Sequence, residues 1–404
     1  MTLSLFQGFG LELELMIVDA ERLDVAPLAD RLLAEAAGEP TDAVERGEAA
    51  WSNELQLHVV EMKTNGPAPE LGPVAALFAR EVAEMSRLLR PLGARLLPTG
   101  MHPWMDPHRE LRLWPHGDDV VYRTFDRIFD CRGHGWANLQ SQHVNLPFAD
   151  DEEFGRLHAA IRVALPLLPA LAASSPFVEG GRAAALDQRL SVYAGNAARV
   201  PSVSGRVIPE PVYDRSAYDA LLARIYRDLA PHDPEGVLAH EWVNARGAIA
   251  RFDRGAIEIR TLDVQEHPGA DVAVAAATVA LVRALVDERW APLDGTLEVE
   301  RLAAIHDAAV REAGGARIDD RRWLAQIGRR GPVGAGALWG ELAQELLPPG
   351  PFRDHVQLVA SEGTLAERLV RAAGPDPDRE RLRGVYRRLA EGLERGEAFV
   401  PGPP

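Results

Sequence analysis

The chain has 404 residues, a formal net charge of −16, 47% hydrophobic and 26% charged residues, which is the range of ordinary globular proteins and enough length for a large core. The acidic balance argues against nucleic acid or an anionic membrane as the main partner, because both would repel it. Cys131 is the only cysteine, so no intrachain disulfide can form and the composition fits a reducing compartment.

The opening MTLSLFQGFG has no basic stretch followed by a long apolar run, so no secretory signal is read. Residues 11–19 then alternate: Glu12 and Glu14 interleave with Leu11, Leu13 and Leu15, the period of a strand whose acids leave one face about 7 Å apart and whose leucines leave the other. After a mixed stretch, residues 51–64 read as one strand ending at the turn signal Asn65-Gly66-Pro67. Glu54 and Glu61 bracket its ELQLHVVE, and a separation of seven puts them on opposite faces unless a bulge intervenes or one lies at the strand's start. Glu61 shares its parity with Leu55, Leu57 and Val59, so it must find a cation or donor in an apolar setting.

Helical spacing of Val74, Leu77, Phe78, Val82, Met85 and Leu88 predicts a helix over 70–90. A short strand over 96–100 leads into the aromatic loop HPWMDPHRE, where Trp104 and Trp114 are candidates for a substrate rim or for loop packing. His102, His108 and His116 nearby carry a weak metal signal. Cys131 and His134 lack the four ligands of a structural zinc site, so Cys131 reads as a packed thiol. Residues 135–148 predict a strand with Ser141, His143 and Asn145 on one face. Asp150 or Asp151 caps the next helix, which runs from 152 toward 173 and is broken by Pro166 and Pro169. The apolar stretch 163–173 within it is too short to cross a bilayer, and a cytoplasmic location is expected.

Residues 187–214, rich in Gly, Ser, Pro and Arg, read as a loop over a site. A helix over 216–229 precedes two strand-like segments, 241–245 and 256–264, the second carrying Glu258 and Arg260 on one face. From residue 271 to 396 the pattern is helical, with breaks at Gly314-Gly315, Pro348 to Pro351 and Gly374-Pro375; the terminal PGPP is expected to fray. Strands that alternate polar and apolar residues favour an antiparallel sheet over a parallel one. The expected fold class is therefore α+β: a curved, mainly antiparallel sheet, polar on its concave face, with helices on its outer face and a helical C-terminal region.

Taken singly, Glu12 with Glu14 reads as a solvated sheet face, His143 as a structural histidine and Glu258 with Arg260 as an ion pair. Together, five acids and a histidine offer enough ligands for two Mg²⁺ ions, with Mn²⁺ an alternative because of the imidazole. Lys63 is the only lysine and follows no glycine-rich run, which excludes a P-loop, and no GxGxxG opens a helix. Phosphates would be met by arginine and metal.

These motifs, in order, resemble the glutamate-cysteine ligase family and its bacterial carboxylate-amine ligase branch. The resemblance runs from Gly10-Leu11-Glu12-Leu13-Glu14 through Val18-Asp19, Glu54 to Glu61 and Thr64, and Gln140-Ser141 with His143, to Ser174 through Phe177 and then Glu258, Arg260 and Asp263. It covers residues 9 to 287, and Asn145 stands where relatives often carry a second histidine. It implies a glutamine-synthetase-like partial barrel within a single ligase domain spanning 1–404, residues 288–400 being its helical C-terminal region. It also implies ATP-dependent joining of a carboxylate to an amine through an acyl phosphate, most simply glutamate to cysteine or a related γ-glutamyl transfer. The resemblance places one magnesium with Glu12, Glu54 and Glu61 and a second with Glu14, His143 and Glu258, makes Arg260 and Glu61 the catalytic candidates, and gives Arg260 the transferring phosphate, with Arg246 and Arg251 as candidates for further phosphate or substrate-carboxylate contacts and the alternative of surface roles. Small amino-acid substrates are the expected partners, with a homo-oligomer compatible. The other readings are a metal-dependent hydrolase using the same acids, and a catalytically silent nucleotide-binding relative.

Overall fold

The computed structural model describes residues 2–117 and 119–401. Eight strands form the main sheet: β1 (Gly10–Asp19), β2 (Ala43–Arg46), β3 (Ala49–Asn53), β4 (Val59–Thr64), β5 (Ala94–Leu97), β6 (Ser141–Pro147), β7 (Ala248–Arg251) and β8 (Ala256–Asp263). Their order is β2-β3-β4-β1-β6-β8-β7, with β5 pairing the far half of β1 beyond the end of β6. Every pairing is antiparallel, and the curved sheet stays open. The expected α+β architecture is the one observed.

One face of the sheet is apolar. Leu11, Leu13 and Leu15 of β1, Val60 and Met62 of β4, and Ile257 and Ile259 of β8 bury into a core shared with the helices Gly72–Leu89, Asp151–Ala164 and Pro268–Val286. The last of these is long and apolar enough to cross a membrane by composition, more so than residues 163–173, yet 83% of its apolar window is buried inside the protein. It is the core helix beneath the sheet.

The opposite face is divided. Met16 and Val18 share the parity of Glu12 and Glu14 but pack with Leu97 against Leu382, Val385, Tyr386 and Leu389 of the C-terminal helix Arg379–Arg395. The C-terminal region thus covers the apolar half of this face and leaves the acidic half as a hollow. The Glu266–Arg368 ion pair, wholly buried, joins the chain after β8 to helix Leu365–Ala373.

Several predicted elements differ. Residues 51–64 form two strands joined by a turn. Leu57 N–H donates to Arg112 O (2.8 Å) and Trp114 N–H to Leu55 O (2.9 Å), so the turn pairs with a distant loop and residues 54–58 leave the ladder. The strand expected over 135–148 begins only at Ser141, after a short helix at His134–Ala137. Residues 241–243 form a 3₁₀ turn rather than a strand, the strand lying at β7. The helix after Asp150 breaks at Pro166 and Pro169 as proline requires, while the 187–214 loop contains a helix, Gln188–Tyr193, capped by Asp187. Of the terminal PGPP, residues 402–404 lie outside the described residues.

Candidate active site

The acids meet because four strands, β4, β1, β6 and β8, lie side by side in register. Glu12 stands opposite His143 of β6 and opposite Lys63 of β4. Glu14 stands opposite Glu61 of β4, and Glu258 of β8 opposite Asn145 of β6. The apparent conflict between Glu54 and Glu61 disappears because they belong to different segments: Glu61 sits within β4, and Glu54 follows the end of β3.

His143 is the hub. Its Nδ1 lies 3.0 Å from Glu12 Oε2 and 3.7 Å from Glu258 Oε1, and its Nε2 lies 2.9 Å from Ser141 Oγ and 3.8 Å from Glu14 Oε1. Burial lowers the imidazole pKa, but the Glu12 hydrogen bond and the surrounding carboxylates outweigh it and raise the net value. Burial likewise pushes Glu12 upward, yet the hydrogen bond and charge of His143, with Lys63 beyond, hold it well below the usual carboxylate range. Asn145 Nδ2 donates to Glu12 Oε1 at 3.1 Å, leaving Asn145 Oδ1 buried without a partner.

On the other side of β1, Ser52 Oγ donates to Glu61 Oε2 at 2.6 Å, and Lys63 Nζ donates both to Glu61 and, at 2.8 Å, to Ser52 Oγ. Burial, then repulsion from Glu12, pushes Glu61 up to about 7 despite this ammonium. Burial with the charges of Glu14 and Glu61 raises Glu54 well above its ordinary value. His143 and Lys63 are the basic groups nearest these acids, and the crowding favours protonated forms.

Glu12, His143 and Glu258 offer ligand atoms all within 4.8 Å of one another, and hard carboxylate oxygens plus one imidazole suit Mg²⁺ or Mn²⁺. Glu14 faces Glu61 across the β1–β4 ladder, and the charges of both act on the buried Glu54. The strand register puts Glu12 directly across from His143, and Glu14 Oε1 lies 3.8 Å from His143 Nε2; the resemblance groups Glu14 with His143 and Glu258.

The three arginines have different fates. Arg260 Nε lies 2.8 Å from Glu258 Oε1, and it sits where the β6–β8 register shifts between Ile259 and Leu262. Arg260 shares Glu258's face by alternation, and the shift keeps Leu262 in the core with Ile257 and Ile259, which carries Asp263 onto the same side as Glu258. Arg251 reaches Glu258 Oε2 at 3.7 Å and Asp253 at 3.2 Å, so it flanks the site. Arg246 is not brought there. Its guanidinium, 1% exposed, forks onto Glu210 and donates to Ser202 O (3.1 Å), Val203 O (3.3 Å) and Asn244 Oδ1 (2.9 Å), which makes it the pin of the 201–210 loop.

Two cavities meet at the acids. One, about 610 Å³, is lined by Glu12, Lys63, Asn145, Arg254 and the backbone around Gly8, Gly10 and Gly66. The other, about 240 Å³, is lined by Glu14, Glu54, His143, Arg189, Tyr193 and Arg260, and by the rings of Phe125, Trp136 and Trp242. Trp104 and Trp114 line neither; both are buried in packing. His102 is buried with its Nε2 2.7 Å from Leu23 O, and Cys131 is a buried thiol pushed upward by desolvation. Lys63, Ser52 and Arg189, which closes a buried pair with Asp263, carry no motif that reveals them. Only the placement of a single lysine two residues after Glu61 hints at a built-in counter-charge.

An uncharacterized protein of Archaeoglobus fulgidus is 32% identical over 391 residues, 97% of this chain and 100% of its own length. A protein of Rubrobacter xylanophilus named "Putative glutamate--cysteine ligase 2-3" is 27% identical over 334 residues, 80% of this chain and 83% of its own. In fold, the chain is similar to the crystal structure of glutamate–cysteine ligase from Francisella tularensis in complex with AMP. The TM-score is 0.66 at 13% identity, covering 96% of this chain and 88% of that one. The family model for glutamate-cysteine ligase family 2 matches residues 8–388, and the chain therefore belongs to that family of carboxylate-amine ligases.

Proposed function

We propose that the protein is an ATP-dependent carboxylate-amine ligase working through an acyl phosphate, with glutamate the first carboxylate to test. The observation that carries this reading is the convergence of Glu12, His143 and Glu258 from three strands at the junction of two cavities. The larger cavity suits the nucleotide and the smaller the carboxylate and amine. Glu12, His143 and Glu258 would hold one divalent cation and Glu14, Glu54 and Glu61 a second. When bound, such ions neutralise phosphate oxygens during phosphoryl transfer.

The residues supply position and charge. A substrate carboxylate oxygen attacks the γ-phosphorus, the bond to the bridging oxygen breaks, and ADP leaves with that electron pair. Arg260, on the wall of the smaller cavity, donates to the transferring phosphoryl oxygens. Lys63, opposite Glu12 on the wall of the larger cavity, offers a second positive charge to the nucleotide. The amine nitrogen then attacks the acyl carbon, the carbon–oxygen bond to phosphate breaks, and amide, phosphate and one proton are released. The hollow keeps water from the acyl phosphate once both substrates fill the smaller cavity.

The test is ADP release over a panel of carboxylate and amine pairs, with product mass as readout. Release that requires both partners, and is lost in Glu12→Gln with the fold retained, supports the reading. Product formed without nucleotide would instead select a metal-dependent hydrolase.

A further inference from the structure

Ser174, Ser175 and Asp263, which the sequence motifs single out, line neither cavity. They meet at the end of β8 in a wholly buried cluster. Asp263 Oδ2 accepts from Ser174 N–H at 2.9 Å and from Ser175 Oγ at 2.8 Å, and Arg189 Nε donates to Oδ1. Gly100 has to be glycine at this point, since a Cβ would stand 2.4 Å from the Asp263 carboxyl carbon. Asp187 caps helix Gln188–Tyr193 by accepting from Leu190 N–H at 2.9 Å. Burial, and then the charge of Asp263, pushes Asp187 well above its ordinary value, which favours its neutral form and leaves the Asp263 charge to Arg189.

This cluster fixes a short helix with one face toward Arg260. Arg189 and Tyr193 stand four residues apart and so share a side of Gln188–Tyr193. Arg189 Nη1 and Nη2 each lie 3.4 Å from Arg260 O, while the Tyr193 hydroxyl is hydrogen-bonded to the Arg260 guanidinium. The helix is packed from two directions. Asp187 N–H donates to Val310 O at 3.0 Å, and Gly135 sits so close that a Cβ there would meet Asn196 Cβ at 2.9 Å and Val192 O at 3.2 Å. The other side-chain partners of Arg260 are Asn244 O, at 3.5 Å, and Glu258 Oε1, at 2.8 Å. Glu258 belongs to the set that would hold a cation, and a bound ion competes with the guanidinium for that carboxylate. Arg260 then depends on the helix. Resting on the ligase reading above, we propose that helix Gln188–Tyr193 is the positioning element of Arg260: Tyr193 holds its guanidinium, and Arg189, anchored through Asp263 by Ser174 and Ser175, holds its carbonyl, so that the arginine stays in place when the metal takes Glu258.

The experiment uses the full chain in two assays. One is kinetics with MgATP and the most active carboxylate and amine pair of the panel. The other is NMR of isotopically labelled protein with Mg²⁺ alone, in which the Arg260 Nε–Hε resonance is identified by its absence from Arg260→Gln. Tyr193→Phe removes the hydroxyl and keeps the ring that packs with Leu190 and Val310. That substitution should shift or broaden the Arg260 resonance and lower kcat roughly tenfold, with Tm and the nucleotide KM unchanged. In the Arg260→Gln background it should cost less than about twofold more, because the residue it positions is gone. Ser175→Ala, which takes one donor from Asp263 without reaching the cavity, should move the resonance and kcat in the same sense. A resonance indifferent to Tyr193→Phe or to Ser175→Ala overturns the proposal. So does a loss that persists in the Arg260→Gln chain, or one that appears in the nucleotide KM instead of kcat. If the resonance responds to both substitutions while no pair releases ADP, the ligase reading fails and the hold of the helix on Arg260 stands.

Discussion

Replacing Glu61 with glutamine should stabilise the metal-free protein at pH 8 and remove most of its response to magnesium. Glu61 is 7% exposed, and burial together with the Glu12 charge lifts it from 4.5 to about 7 in the folded state. A carboxyl whose folded pKa lies above its unfolded value favours folding fully at low pH, and that contribution is lost as pH rises from about 4.5 through 7. Above pH 7 the difference corresponds to on the order of 3 kcal/mol of destabilisation. Glutamine keeps the shape and the Ser52 contact, and the Lys63 pairing it forfeits is already contained in that folded-state value. The expected net gain is on the order of 3 kcal/mol at pH 8, a Tm rise of a few degrees, and none at pH 4. Thermal unfolding after chelation at both pH values, repeated with added Mg²⁺, measures it. In the parent chain Mg²⁺ should raise Tm more steeply at pH 8 than at pH 6, because binding must displace protons from Glu61 and Glu54. A variant that is less stable than the parent at pH 8 without metal, or one that keeps the parent's full magnesium response, refutes the argument.

Three further outcomes follow from the same geometry. Arg260→Gln should lower kcat roughly 10²- to 10³-fold with little change in the nucleotide KM, and an unchanged kcat would remove Arg260 from phosphoryl transfer. Lys63→Met should bind Mg²⁺ alone about tenfold more tightly, about 1.4 kcal/mol, because a resident cation has been deleted, while nucleotide affinity falls; calorimetry with each ligand separately reads both, and weaker Mg²⁺ binding would contradict the counter-charge role. Arg246→Leu should reduce stability to urea by about 3 kcal/mol, since Glu210 and three other acceptors lose their donor, yet leave the nucleotide KM of the folded fraction unaltered. A selective rise in that KM would restore Arg246 to the site.

Alternation in β1 and β8 assigns Glu12, Glu14 and Glu258 to a common kind of face, since strand parity depends only on neighbours along the chain. The same local reasoning erred where a distant segment decided the backbone. Residues 54–58 alternate well enough to extend a strand, but Leu55 and Leu57 pair with residues 112–114 and the ladder breaks, which is what allows Glu54 and Glu61 to meet. The Arg260 bulge is another such case: nothing in IEIRTLD announces an extra residue against β6.

By itself, then, the amino-acid order determined which side chains are acidic, which faces they leave, and that Glu61, in an apolar run, needed a cation or a hydrogen-bond donor. Which acid sits across from His143, whether Arg246 reaches a ligand or pins a loop, and how Phe125, Trp136 and Trp242 come to share one wall depend on the register between strands far apart in the chain and on packing between loops. Those are contacts between separate segments, whose geometry exists only once the C-terminal helix has covered Met16 and Val18 and left the other half of the same face open.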